Sequence, residues 1–109
     1  MQRFLRTCLM VLLRHEERHG YALLPELEEF GFADGTLDPS LVYRALRDME
    51  ADGWLQSNWE EESQGPRRRS YKLTNLGEEQ LAYFITDLKR TRGEIDALVQ
   101  VYEKSGDES

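Results

Sequence analysis

The stretch from Asp38 to Thr74 constrains this chain more than any other, because a helix with two unlike faces runs straight into a two-armed ribbon. Asp38-Pro39 is a helix start: the carboxylate caps orphan N–H groups, and proline suits the first helical position, where no N–H is missed. From there Val42, Leu46 and Met49 recur on one face, while Ser40, Tyr43, Arg44 and Arg47 recur on another. Gly53 follows Asp52 where a left-handed helix stop is expected. One face supplies a core. The other carries the residue types that read DNA, since arginine bridges a guanine edge or a phosphate and tyrosine and serine donate to phosphate oxygens. Taken alone, the helix also fits a plain amphipathic element with a solvated face.

The ribbon separates the two readings. Its arms are Trp54-Leu55-Gln56-Ser57-Asn58-Trp59 and Arg69-Ser70-Tyr71-Lys72-Leu73-Thr74, with Tyr71 and Leu73 alternating against Ser70 and Lys72 as in a strand with one buried face. Gly65-Pro66 marks the turn, and Arg67, Arg68 and Arg69 follow it. A helix-turn-helix that runs into a basic hairpin is a winged helix, whose helix enters the major groove while the hairpin tip rests on phosphate or in the minor groove.

His19-Gly20-Tyr21 opens a second helix, and Tyr43-Arg44-Ala45-Leu46 lies in the third. Met49-Glu50 leads to Gly53-Trp54-Leu55, then come Gly65-Pro66-Arg67-Arg68, Tyr71-Lys72-Leu73-Thr74 and Gly77. In this order and spacing, over nearly the whole chain, the sequence closely resembles the PadR family of bacterial transcriptional repressors. The resemblance implies a homodimer of winged-helix subunits on double-stranded operator DNA, joined through the C-terminal helix. It puts the family's third-helix tyrosine at Tyr43 and its basic wing tip at Arg67, Arg68 and Arg69. The chain departs at Ser40-Leu41, where family members often have Gly-Thr, so Ser40 is expected to supply the phosphate-binding hydroxyl. The pattern also resembles a PadR subgroup named as polyhydroxybutyrate-responsive repressors, which implies a polymer-granule effector.

Charge pulls the other way. The net charge is −7, from 21 acidic and 14 basic residues, whereas nucleic-acid-binding domains are usually basic. Locally the balance is even: Arg44, Arg47, Arg67, Arg68, Arg69 and Lys72 stand against Asp48, Glu50, Asp52, Glu60, Glu61 and Glu62. Arg3, Arg6, Arg14 and Arg18 add a basic N-terminal segment. An acidic body repels non-specific DNA, so selective and salt-sensitive binding is expected.

The 109 residues make one domain with a modest core. No apolar run is long enough to span a bilayer and no signal-peptide pattern opens the chain, so a cytoplasmic location is expected. The single Cys8 excludes an internal disulfide and is read as a core thiol, with a redox sensor as the alternative.

Phe4 to Arg14 predicts a first helix, with Leu5, Leu9 and Leu12 on its buried face. Gly20 to Phe30 supplies Leu24, Leu27 and Phe30, and Gly31 and Gly35 mark the turn after it. Pro25 conflicts with a helix starting at Gly20, so the helix either starts later or kinks. Thr74 caps a last helix running to about Lys104, and a polar, disordered tail is expected over 105–109. Leu81, Ile85, Leu88, Ile95, Val99 and Tyr102, with Arg92 in the gap, alternate steps of four and three, and Phe84 and Leu98 widen the stripe. A dimer seam is the preferred reading and packing against the chain's own domain the alternative. Tyr83, Phe84, Tyr102 and Phe4 either pack that interface or line a site for a flat hydrophobic effector, as in some PadR relatives.

His15-Glu16-Glu17-Arg18-His19 matches H-E-x-x-H, which on a helix holds zinc beside a general-base glutamate. Here it falls at a helix end and no third histidine exists, so a carboxylate such as Glu26 would have to serve as the third ligand. No nucleophilic triad, phosphate-binding glycine loop or CxxC pair is present, so neither an enzyme nor a cofactor is expected. The expected fold is mostly α with a small β-hairpin. A winged helix-turn-helix domain occupies 1–74 and a C-terminal dimerisation helix 75–104. The expected function is a dimeric DNA-binding repressor released by a small hydrophobic effector, with a winged-helix adaptor for a protein partner as the alternative. DNA contacts are assigned to Ser40, Tyr43, Arg44, Arg47, Arg67, Arg68, Arg69 and Lys72, with Arg44 and Arg47 reading bases and the wing arginines on phosphate.

Overall fold

Burial orders this chain around four helices and a small antiparallel sheet. The computed structural model describes residues 2–32, 37–60 and 68–107. Helix α1 (Gln2–Leu13) is followed by the short strand β1 (Arg18–His19) and helix α2 (Gly20–Glu26). A 3-10 turn over Leu27–Phe30 leads to α3 (Pro39–Ala51), strands β2 (Leu55–Glu60) and β3 (Arg68–Leu73), and α4 (Asn75–Asp107). Leu9, Met10, Leu13, Leu23, Leu27, Val42, Leu46 and Met49 are fully buried, each stabilising the fold by about 1.5–3 kcal/mol. In α1 the buried face turns slightly from the expected one: Met10 and Leu13 fill the core, and Leu12 is half-buried. In α2 it is Leu23, not Leu24, that is fully buried.

Pro25 neither delays nor interrupts its helix. The helix starts at Gly20 and ends one residue past the proline, and the backbone tightens into the 3-10 turn, closed by Gly31 at φ 96°. Gly35, expected in the same turn, lies outside the described residues. The start of α3 is as its sequence implies: the Ser40 N–H donates to Asp38 Oδ1 at 3.0 Å. Its end is as well, with Gly53 at φ 85°.

The sheet has three strands in the order β1-β3-β2, one more than the ribbon alone. The hairpin pairs Leu55 with Leu73 through Glu60 with Arg68, and Arg18 and His19 add to β3 opposite Tyr71 and Ser70. The H-E-x-x-H segment therefore leaves the helix: residues 14–16 bend after α1, and His19 is in a strand. Glu26, the substitute ligand, pairs with Arg18 instead. Among the described residues no helix is long and apolar enough to cross a membrane.

Thr74 joins the wing to α4. Its hydroxyl donates to the carbonyls of Gly53 (2.7 Å) and Trp54 (3.0 Å) and accepts from the Gly77 N–H at 3.0 Å. Helix α4 then runs to Asp107, past the expected stop at Lys104. Ser105 to Asp107 continue the helix rather than begin a tail, and Ser105 Oγ donates back to the Val101 carbonyl at 2.8 Å. No stop signal precedes them, so helix propagation carries on.

The stripe on α4 is divided. Leu81 is 4% exposed, and Phe84 and Ile85 pack against the same core, Phe84 meeting Trp54 edge-on at 5.7 Å. These three of the expected seam residues thus serve their own domain. Leu88, Ile95, Leu98, Val99 and Tyr102 are exposed. The 33-residue helix spans about 50 Å at 1.5 Å per residue, which gives the molecule its 66 Å long axis.

Two predictions follow from this packing. A Cβ on Gly77 would lie 2.2 Å from the Trp54 carbonyl oxygen, so Gly77→Ala is expected to cost about 3 kcal/mol or more in urea unfolding. Burial pushes the Cys8 thiol from 9.0 up to about 11. The folded state holds that proton more tightly than the unfolded chain, so its contribution to stability is complete below about pH 9 and is lost as pH rises towards 11. Thiol-reagent labelling at neutral pH should accordingly follow unfolding; rapid labelling of the folded protein would contradict the burial.

Candidate nucleic-acid interface

With Val42, Ala45, Leu46 and Met49 committed to the core, the other side of α3 is turned outward, and Ser40, Tyr43, Arg44 and Arg47 are all exposed on it. Among the described residues neither Arg44 nor Arg47 is paired with a carboxylate. Asp48, one position further on, is drawn off by Arg6 of α1 at 3.3 Å. The helix-turn-helix is close-packed because α2 begins with a buried glycine. A Cβ on Gly20 would stand 2.9 Å from the Tyr43 ring and 3.4 Å from Leu46.

Strand alternation gives the wing a face towards α3, carrying Leu55, Ser57, Trp59, Arg69, Tyr71 and Leu73. Glu50 reaches that face from the last turns of α3. Its Oε1 accepts from Arg69 Nη2 at 2.9 Å and its Oε2 from the Ser57 hydroxyl, while Arg69 Nε donates to Ser57 Oγ at 2.9 Å. The Arg69 guanidinium also lies over the rings of Trp59 (5.4 Å) and Tyr71 (5.8 Å). The Tyr71 phenol is pushed up by burial, with Arg69 and Arg47 pulling it back. Arg69 is therefore a tie between α3 and the wing, rather than the free cation its place in an arginine run suggests.

The remaining assigned residues are distributed unevenly. Lys72 is exposed, on the ribbon face turned away from α3 and near the base of the wing. Arg67 lies outside the described residues, as does the side chain of Arg68. The basic N-terminal segment is largely spent on internal pairs: Arg6 with Asp48, Arg14 with Glu78 at 3.2 Å, and Arg18 with Glu26 and Glu16. The four aromatics read as an effector site are not gathered in one place. Phe84 meets Trp54 and Phe4 meets Phe32. Tyr83 and Tyr102, both strongly exposed, stand about 28 Å apart along α4.

Sequence reasoning missed Glu50, Ser57, Tyr21 and Trp59. Tyr21 (47% exposed) and Trp59 (52% exposed) join Tyr43, Arg47 and Arg69 around an open cleft of about 330 Å³ between α3 and the wing. Their only sequence signal is that of polar or aromatic residues beside a recognition helix, which does not say where they point.

Three packed helices, a small sheet with a hairpin wing and a cationic outer helix face define a winged helix-turn-helix protein. Residues 9–83 match the model of the Transcriptional regulator PadR-like family. The chain belongs to that family, whose members regulate transcription and are not enzymes. Among solved structures it is similar to a PadR-like transcription factor from Bacteroides fragilis, at 29% identity and TM-score 0.70 over 89% of this chain and 91% of that one. A PadR family transcription regulator from Clostridium difficile is 23% identical, with TM-score 0.75 over 88% and 98%. Bacillus subtilis PadR in complex with operator DNA is 21% identical, with TM-score 0.67 over 78% of this chain and 48% of that one. No curated protein matches the chain.

The Gly20 contact yields a test of the site's geometry that needs no DNA. Gly20→Ala is expected to cost about 1–3 kcal/mol of stability by pressing on the Tyr43 ring. Because the clash is with that ring, adding Tyr43→Ala should recover most of the loss, read as a coupling energy in urea unfolding. Additive effects would mean that the helices are not held at this distance.

Proposed function

We propose that the protein is a dimeric repressor that binds operator DNA through α3 and the wing, with α4 joining the protomers. The observation that carries this reading is the exposed Ser40, Tyr43, Arg44 and Arg47 face, whose arginines have no carboxylate partner among the described residues and which is flanked by a hairpin. Arg44 is assigned to base edges, and Ser40 and Tyr43 to phosphate. Arg67 and Arg68 follow the wing turn in sequence and are assigned to phosphate, with Lys72 as an outlying contact. The operator complex of the Bacillus subtilis relative supports the same use of the fold.

The dimer reading rests on Leu88, Ile95, Leu98, Val99 and Tyr102, an apolar stripe that the protomer leaves bare on one helix. Release by a hydrophobic effector is part of the proposal. Since Tyr83, Phe84 and Tyr102 are spread along α4, such a ligand would be seated where protomers meet.

Fluorescence anisotropy on duplex DNA from upstream of the protein's own gene, beside a scrambled duplex at several salt concentrations, tests the DNA reading. Preferential, salt-dependent binding is expected, and replacing Arg67, Arg68 and Arg69 together by alanine should weaken both duplexes and flatten the salt slope. Equal, weak binding to both would instead favour a protein-binding adaptor, which the net charge of −7 would suit. Sedimentation at micromolar concentration should give a dimer, and Leu98→Glu, at a position 69% exposed in the protomer, should give a folded monomer. A monomeric wild type would remove α4 as the interface.

A further inference from the structure

The open cleft between α3 and the wing has a composition that base reading does not explain. One wall is α3, with Tyr43 and Arg47; the other is the wing, with Trp59 and Arg69; Tyr21 at the start of α2 closes one end. Three large aromatics, Tyr21, Tyr43 and Trp59, are more than a third exposed around it. Of the two arginines, Arg69 is neutralised by Glu50 and tied to Ser57, whereas Arg47 has no carboxylate partner among the described residues. Among the described residues the cleft therefore offers one cation without a carboxylate partner, the Tyr43 hydroxyl and an indole face under the stacked Arg69 guanidinium.

We propose that this cleft seats one sugar-phosphate unit of the DNA backbone, with Arg47 binding the phosphate and Trp59 packing on the deoxyribose. The inference rests on the DNA-binding reading and deepens it. A helix in the major groove and a hairpin in the neighbouring minor groove are separated by one strand's backbone, so that strand has to pass between them. A phosphate takes arginine and tyrosine O–H donors, and the C–H face of a sugar suits an aromatic ring. Arg47 is thereby moved from base reading, its expected role, to backbone binding. Glu50, by pairing with Arg69, leaves the charge of the cleft to Arg47.

The test compares wild type, Arg47→Ala, Trp59→Ala and Trp59→Phe on the upstream duplex and its scrambled counterpart across a salt series. Thermal unfolding by circular dichroism checks that each variant folds, which the exposure of both side chains favours. Arg47→Ala should weaken both duplexes alike, by about tenfold, and lower the salt slope by about one. Trp59→Ala should weaken both without changing the slope, and Trp59→Phe should restore most of the loss. With methylphosphonate placed at one phosphate at a time, wild type should lose affinity wherever a phosphate is contacted, and at one position per half-site Arg47→Ala should lose no more. If Arg47→Ala changes sequence preference and leaves the slope alone, or if Trp59→Ala binds as wild type does, the cleft proposal is overturned while DNA binding stands. If wild type binds neither duplex, both fall together.

Discussion

A thirteen-residue helix with one buried side has no freedom in where it points the other, and the structure is organised around that constraint. Val42, Leu46 and Met49 are fully enclosed by α1, α2 and the sheet, so rotating α3 by even a fraction of a turn would expose them. Ser40, Tyr43, Arg44 and Arg47 are consequently held on the outer side by the core. Two further features tighten this. Gly20 admits α2 to within van der Waals range of the Tyr43 ring, and Glu50 ties the end of α3 to both wing strands. Helix face and wing behave as one rigid surface because the same helix anchors both.

The features legible in the sequence are those set by neighbours a few residues away. Asp38-Pro39 and Gly53 bound α3 because capping and left-handed stops are local events, and Val42, Leu46 and Met49 declare its inner face through spacing alone. Thr74 declares the last helix in the same way. Strand β1 is not legible, since two residues carry no period and Arg18-His19 gains its strand geometry only by pairing with β3. Arg69 is misleading for a related reason. Three arginines in a row read as one feature, yet successive strand positions belong to opposite faces, and what Arg69 meets is a glutamate nineteen residues earlier. The heptad spacing on α4 correctly marks an apolar stripe, but spacing cannot say that Leu81, Phe84 and Ile85 are covered by the chain's own core while Leu98 is not.

The acidic balance is compatible with a cationic recognition face because the two are sorted by internal pairing. Arg6, Arg14 and Arg18 spend their charge on Asp48, Glu78, Glu26 and Glu16, and Arg69 spends its own on Glu50. Exposed pairs of this kind add little stability, with a median of about 0–1 kcal/mol. Their consequence is where they leave charge uncompensated. On α3 the carboxylate nearest the outer face, Asp48, is drawn to α1, and Arg44 and Arg47 stay unpaired among the described residues. A net negative body around a small positive face disfavours loose electrostatic association with any duplex and leaves binding to depend on fit.

The division of α4 links that face to the proposed dimer. Its first turns are nucleated by the core and by the Thr74 cap, so the cost of starting the helix is met inside the domain, and continuing outward is inexpensive. Propagation explains why the second half is helical, but not why it carries Ile95, Leu98, Val99 and Tyr102, since a solvated extension is as well made from polar residues. An association surface accounts for both. Such a surface is mechanically connected to the wing, because Gly77 sits against the Trp54 carbonyl with no room for a methyl group, and Trp54 leads directly into β2. In a two-fold dimer on DNA, paired recognition helices must lie about 34 Å apart or a multiple of it. A continuous α4 of about 50 Å, locked at its base, converts a small change of crossing angle at the seam into a change of that spacing. A ligand acting between protomers would therefore need no contact with α3 to alter how the two faces meet their half-sites.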